Sequence, residues 1–263
     1  MTGWDHLDVA LVQAAADLDP EQNRRRLAEL APAGADLVVF PEAFARDFGP
    51  VTDDLAAHAE PLDGPFATEL AKVAADRHST LVAGMFEAAA PHPFNTLVLT
   101  DGRGPTAYRK IHLYDSFGYR ESDRLGAGPV EPTLADLGGA RIGLMTCYDL
   151  RFPELARLLV DAGAEVIVVP AAWVAGERKV DHWRTLVRAR AIENTVYVVA
   201  AGQPAPRYSG HSLVVDPLGD VIAEAGDGEE VLTARLDAAR LAEARSVNPS
   251  LANRRIGLVG ARA

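Results

Sequence analysis

The stretch Ala140-Arg-Ile-Gly-Leu-Met-Thr-Cys-Tyr-Asp-Leu-Arg-Phe-Pro-Glu154 contains the only cysteine of the chain, Cys147. Ile142, Leu144 and Met145 read as a buried strand ending at that thiol. Phe152-Pro153-Glu154 then opens a helix, with Pro153 suited to a first helical turn. A thiol at a strand-to-helix junction lies near backbone N–H groups that favour negative charge, which is where a nucleophilic cysteine would sit. An inert buried thiol fits the same stretch, because free cysteine is among the most buried residue types. The rest of the chain has to decide between the two.

Outward from this stretch the pattern alternates strand and helix. Asp8 to Gln13 reads as a central strand, and Asp19-Pro20-Glu21 as a helix start, with Leu27 and Leu30 on the apolar face. Asp36 to Phe40 is a second buried strand, ended by Pro41-Glu42. A helix is expected from Pro65 to Arg77, with Phe66, Leu70, Val73 and Ala74 at helical spacing. Strands follow over Thr80 to Glu87 and Asn95 to Thr100, and a third leads into Tyr108-Arg-Lys-Ile-His-Leu113. Residues 114–133 are polar, contain glycine and show no period; a loop of that length is more often functional than not. Beyond the Cys147 helix come a strand at Glu165 to Val169, a helix from Asp181 to Asn194 and a strand at Val196 to Ala200. His211 to Val215, Val221 to Glu224 and Val231 to Leu236 read as a meander, and Ala238 to Arg245 as a short helix. With no linker and no low-complexity segment, residues 1–263 are expected to form a single domain.

Composition narrows the function. At 263 residues and 48% hydrophobic the chain can build one large α/β core. A formal net charge of −11 argues against nucleic acid or an anionic membrane as partner. One cysteine excludes an intramolecular disulfide and a multi-cysteine zinc site, and no metal is expected. The first residues lack a basic start followed by an apolar core, and no apolar run is long enough for a bilayer, so a cytoplasmic protein is expected.

The sequence also echoes itself. Ala33-Gly-Ala-Asp-Leu-Val-Val-Phe-Pro-Glu-Ala-Phe44 aligns with Ala162-Gly-Ala-Glu-Val-Ile-Val-Val-Pro-Ala-Ala-Trp173, identical at six of twelve positions. Each follows an apolar strand and a helix. A repeated β-α-β unit gives two sheets packed face to face with helices outside, a four-layer α-β-β-α sandwich with pseudo-two-fold halves. Glu42 aligns with Ala171, and Cys147 with Ala14. Each functional side chain therefore occurs once, at the carboxyl end of a strand, where ligands bind in open α/β sheets.

Lys110 completes the set, since a thiol attacking a carbon centre needs a base, a positive donor for the oxyanion and something to hold that donor. Phe40-Pro-Glu42, Tyr108-Arg-Lys-Ile-His-Leu113, Thr146-Cys-Tyr-Asp-Leu-Arg-Phe-Pro-Glu-Leu155 and Arg188-Ala-Arg-Ala-Ile-Glu-Asn194 together resemble the nitrilase, or carbon–nitrogen hydrolase, superfamily. The likeness spans about residues 8 to 236. It implies a cofactor-free Cys-Glu-Lys mechanism, with Cys147 as nucleophile, Glu42 as general base and Lys110 stabilising the tetrahedral intermediate beside the Tyr148 N–H. A second family glutamate matches Glu121 in Arg120-Glu-Ser-Asp123. The resemblance also implies a homodimer, or higher homo-oligomer, formed through helices near the site.

Tyr148-Asp-Leu-Arg-Phe-Pro-Glu154 is most similar to the omega-amidase and deaminated-glutathione-amidase branches. The expected activity is cleavage of a small carboxylate-bearing primary amide to acid and ammonia. Arg178 and Lys179 are the available cations, and Trp173 is a candidate pocket wall. An N-carbamoyl amidohydrolase or a nitrilase is the alternative, although nitrilases often carry Trp where this chain has Tyr148. A silent binding protein would have no need to retain Glu42, Lys110 and Cys147 together. His112, His182 and His211 lack the surroundings of a Cys-His enzyme. Arg151, Glu154, Arg188, Arg190 and Glu193 read as structural.

Overall fold

The computed structural model describes residues 3–257. The ends of the expected 1–263 domain, residues 1–2 and 258–263, lie outside the described residues.

The first half runs β1 (His6–Gln13), α1 (Pro20–Leu30), β2 (Leu37–Val39), α2 (Pro65–Arg77), β3 (Thr80–Glu87), β4 (Phe94–Thr100) and β5 (Pro105–Arg109). The local reasons are those expected. Asp19 caps α1 by accepting from the Glu21 N–H, and Pro20 and Pro65 stand in the first turns of α1 and α2. α2 ends at His78 in the left-handed conformation. Side chains along β1 and β2 alternate, as strand geometry requires. Val9, Leu11, Leu37 and Val39 enter the core shared with the second half, while Ala10, Val12, Val38 and Phe40 pack with Leu27, Phe66 and Leu70 of α1 and α2. Burying each such leucine or phenylalanine contributes about 2 kcal/mol.

A short hairpin of β6 (Asp115–Ser116) and β7 (Tyr119–Arg120) follows, then a 3₁₀ turn over Glu121–Asp123. The stretch 114–133 is thus partly regular, contrary to its aperiodic reading. Its tip, Phe117-Gly118, has positive φ at both residues, as a tight two-residue hairpin turn needs. The second half runs β8 (Leu134–Leu137), β9 (Ala140–Leu144), α3 (Pro153–Asp161), β10 (Val166–Ala171), α4 (Lys179–Asn194), β11 (Tyr197–Gly202), β12 (Leu213–Val215) and β13 (Val221–Glu224). The helix expected from Asp181 begins two residues earlier, at Lys179.

The echo is realised in the topology. One sheet has the order β14-β1-β2-β3-β4-β5 and the other β8-β9-β10-β11-β12-β13, where β14 is Glu230–Asp237. In each, three parallel strands are followed by two antiparallel ones, and an antiparallel edge strand closes the other side. With α1 and α2 on one sheet and α3 and α4 on the other, the result is the expected four-layer α-β-β-α sandwich. The meander reading is corrected here. β12 and β13 pair, but β14 leaves them and lies against β1 along its full length, tying the end of the second half to the first. Its alternation matched a third hairpin strand, and pairing partners cannot be read from a period of two. α5 (Ala238–Val247) follows.

Candidate active site

Four polypeptide segments meet at the carboxyl ends of the parallel strands. Glu42 sits just past β2, in a turn whose next residue, Ala43, has φ 54°. Gly84 on β3 makes room for that turn: a Cβ there would lie 2.7 Å from Glu42 Cα and would collide with the Ala43 nitrogen. Cys147 opens a 3₁₀ turn after β9 at φ 48°, a strained value for a residue with a side chain. Lys110 extends β5 by one ladder bond, Lys110 N–H to Asn95 O at 2.8 Å. Glu121 begins the 3₁₀ turn behind the hairpin.

These side chains converge. Lys110 Nζ donates to Glu42 Oε1 at 2.9 Å and to Glu121 Oε2 at 2.9 Å and Oε1 at 3.2 Å. All three residues are 1% exposed. The Ala172 N–H donates to Glu42 Oε2 at 2.7 Å, and the Tyr114 N–H to Glu121 Oε2 at 2.6 Å. Gln203 Nε2 holds the Glu42 carbonyl at 3.0 Å. Glu42 thus belongs to the first half but is fixed by the second, at the strand end where the echo has alanine. The Cys147 thiol lies beside the Glu42 carboxylate on the same pocket floor, close enough to feel its charge.

Burial opposes every charge in this cluster, so the sign of each pKa shift shows which effect wins. For Glu42, burial pushes the carboxyl up, but the Lys110 charge and hydrogen bonds outweigh it and leave the pKa lowered. For Lys110, burial pulls the ammonium down, but Glu121 and Glu42 outweigh it and hold its pKa well above normal. For Cys147, burial and then the Glu42 charge act together, so the thiol lies well above its ordinary value. The resting arrangement is a neutral thiol beside an ionised carboxylate and an ammonium. That set can pass a proton from sulfur to carboxylate as sulfur attacks an electrophile. It is unlike a cysteine–imidazole pair: the His112 and His211 rings are engaged with Asp149 and with Glu224 and Arg184, and among the described residues His182 Nδ1 has no hydrogen-bond partner.

The cluster forms the floor of a pocket of about 770 Å³ whose walls include Tyr148, Trp173, Phe117 and Tyr208. The expected cations divide. Arg178 lies exposed beside Glu177 at 3.7 Å. Lys179 turns inward, its Nζ 4.3 Å from the Phe117 ring centre and donating to the Tyr114 hydroxyl at 3.2 Å. Arg151, read from sequence as structural, also lines the pocket. Its guanidinium stacks 4.8 Å from the Trp173 ring centre, and its Nε and Nη2 are buried with no hydrogen-bond partner among the described residues. Burial, followed by the nearby Arg151 charge, lowers the Lys179 pKa. Neither cation has a carboxylate partner among the described residues. The pattern that could have marked Arg151 is its place four residues past the thiol, one short turn from it.

The other arginines set aside are structural as read, in part. Arg190 is buried, donating to the Leu150 carbonyl and pairing with Glu193 at 2.9 Å, whereas Arg188 donates to the Gly219 carbonyl instead of forming an ion pair. Asn95, which the sequence reading passed over, touches both glutamates. Among the described residues no cluster of His, Cys, Asp or Glu is arranged to hold a metal ion.

The sandwich fold and this floor of thiol, carboxylates and ammonium define a hydrolase acting on carbon–nitrogen bonds. The carbon-nitrogen hydrolase family model matches residues 8–246, and the chain belongs to that family. It is 38% identical to a deaminated glutathione amidase of Escherichia coli O157:H7, over 87% of this chain and 88% of the relative. It is 37% identical to a 2-oxoglutaramate amidase of Paenarthrobacter nicotinovorans, over 97% and 92%. The fold is similar, at TM-score 0.87 and 31% identity, to a CN-hydrolase superfamily protein of Xanthomonas campestris with an arsenic adduct in its active site, covering 97% of this chain and 99% of that one.

Proposed function

We propose that the chain cleaves a small carboxylate-bearing primary amide to the acid and ammonia through a thioester on Cys147. The observation that carries this reading is Lys110 Nζ held between Glu42 and Glu121, with the Cys147 thiol beside them on the pocket floor. As sulfur attacks the amide carbon, its proton moves to the Glu42 carboxylate. The carbonyl oxygen gains the charge and is stabilised by Lys110 and the Tyr148 N–H. Collapse breaks the carbon–nitrogen bond, and Glu42 returns the proton to the departing amine. Glu42 then takes a proton from water, whose oxygen attacks the thioester. The second collapse releases the acid, and sulfur recovers its proton from Glu42. No cofactor is needed, because every proton has a donor and an acceptor within the set. Glu121 orients Lys110 throughout.

The carboxylate preference rests on Arg151 and Lys179. Two cations without carboxylate partners at one pocket wall are costly unless an anion joins them. Tyr148 and Trp173 flank the place where it would lie. The named substrates of the amidase relatives are themselves carboxylate-bearing amides. The test is an ammonia-release screen over carboxylate-bearing amides, neutral amides, nitriles and N-carbamoyl amino acids, repeated with Cys147→Ala and Arg151→Met. The expected result is turnover of the first group, none with Cys147→Ala, and KM raised by about tenfold or more with Arg151→Met. Turnover confined to nitriles or N-carbamoyl compounds would overturn the amide reading, and equal use of neutral amides would overturn the anion site.

The chain is further proposed to act as one domain, in the cytoplasm, as a homodimer. No described helix is long and apolar enough to cross a membrane, and α4 leaves Ile192 exposed on its outer face. A monomeric mass by light scattering at micromolar concentration would count against the dimer.

A further inference from the structure

We propose that Asn95 is a positioning residue for this reaction: its side-chain amide holds Glu42 and Glu121 together around Lys110 and reserves Glu42 Oε2 for the thiol proton. The proposal rests on the reading of Glu42 as general base. Asn95 lies at the start of β4 and is fully buried. Its Nδ2 donates to Glu42 Oε1 at 2.7 Å and to Glu121 Oε1 at 3.1 Å. An amide nitrogen has two hydrogens, and both are spent on carboxylates. Its Oδ1, by contrast, is buried with no partner among the described residues. The reverse orientation would aim that carbonyl at two carboxylates, so repulsion fixes the amide as described.

Charge explains why the arrangement is kept. Two buried carboxylates share one ammonium, and like charges so placed repel each other unless further donors hold them. The amide supplies the second donor that touches both. It also fills Glu42 Oε1, which already accepts from Lys110 at 2.9 Å. An oxygen with two lone pairs is then saturated, whereas Oε2 accepts only the Ala172 N–H and retains one. The backbone carbonyl of Asn95 separately receives the backbone N–H of Lys110, a ladder bond that side-chain substitution leaves in place, so this one residue touches all three members of the charged set. The other groups facing Glu42 are Cys147 on its elbow and Tyr208 beyond β11, and neither donates to Glu121.

The experiment compares kcat and KM of Asn95→Ala, Asn95→Ser and the near-isosteric Asn95→Asp between about pH 5.5 and 8, with thermal melts to check folding. An ionised Glu42 is required for attack, so loss of the donor should move the acid limb to higher pH. Asn95→Ala is expected to lose about tenfold in kcat near pH 8, and about tenfold more near pH 5.5, with KM nearly unchanged. Asn95→Ser, with one donor, should recover part of this, and Asn95→Asp should be the weakest. A loss equal at all pH values, an Asn95→Asp enzyme as active as the parent, or failure of all three to fold would make Asn95 a packing residue and overturn the proposal. Glu42→Gln is measured in parallel. If it stays active, the general-base reading falls; if it is dead while the Asn95 limb does not move, the positioning role alone falls.

Discussion

The phenol of Tyr108 donates to Asp149 Oδ2 at 2.6 Å, and so joins the strand that carries Lys110 to the turn that carries Cys147. Asp149 is fully buried, and it gathers three more bonds. The Thr146 N–H reaches Oδ2 at 3.0 Å, and the His112 N–H and Nδ1 reach Oδ1 at 3.0 and 2.8 Å. The His112 ring stacks on Phe152, 3.8 Å between centres, just past the same turn. The cysteine elbow is therefore braced from the lysine side by one carboxylate, which offsets the strain of positive φ at Cys147.

This brace gives a stability prediction. Tyr108→Phe removes one donor and should cost about 1 kcal/mol, whereas Asp149→Ala leaves several buried donors unpaired and should cost about 3 kcal/mol or more. Urea unfolding measures both. Asp149→Ala within about 1 kcal/mol of the parent would mean that the brace is not needed.

The thiol supplies a second prediction. Burial and the adjacent Glu42 carboxylate both favour the protonated form of Cys147. Ultraviolet absorbance of the thiolate, taken as the difference from Cys147→Ala, should therefore show no step from acid up to about pH 9. In Glu42→Gln the negative neighbour is gone, and the step should move to lower pH. A thiolate already formed near neutrality in the parent would contradict the proton transfer assigned to Glu42.

Gly84 tests the Glu42 turn by packing alone. A methyl group there meets backbone, not a flexible side chain, so the turn itself must move. A shift of an ångström in a catalytic array costs on the order of a hundredfold in rate. Gly84→Ala should fold, with a destabilisation of about 1–3 kcal/mol, and lose turnover on that scale. Full activity would show that Glu42 tolerates displacement.

The Cys147, Glu42 and Lys110 stretches were legible in the sequence because each is a local signal: an apolar strand followed by a residue the scaffold does not require. The echo was legible for the same reason, and it led to two sheets. What stayed hidden depends on contacts distant in sequence. β14 has the alternation of a hairpin strand, and only its pairing with β1 shows that it belongs to the other sheet. Arg151 looked like a helix-start arginine; its place against Trp173 arises from the loop after β10. Asn95 had one weak mark, a polar amide opening a strand whose following residues are all buried. The stretch 114–133 had no period because its hairpin is only two residues to a side.

That hairpin bears on the choice among the loop acids. Asp115 accepts from the Ser122 N–H and hydroxyl and faces away from the site. Asp123 is exposed beside Arg120 at 3.3 Å. Glu131 lies in the tail of the loop, past the Gly128 N–H that bonds the Lys110 carbonyl. Glu121 alone of the four reaches Lys110, and the Tyr114 N–H and Asn95 amide hold it there. Its second oxygen completes the cage around the ammonium, so loss of its charge should let Nζ swing toward Glu42 and away from a substrate oxygen. Glu121→Gln keeps the shape and removes the charge. It should fold and lose on the order of a hundredfold in kcat, the scale expected when a catalytic array is misplaced, while Asp123→Asn stays within about twofold of the parent, as an exposed pair allows. Steady-state kinetics with thermal melts decide it. Near-native kcat in Glu121→Gln would remove Glu121 from the catalytic set, and loss of folding would make it a structural carboxylate.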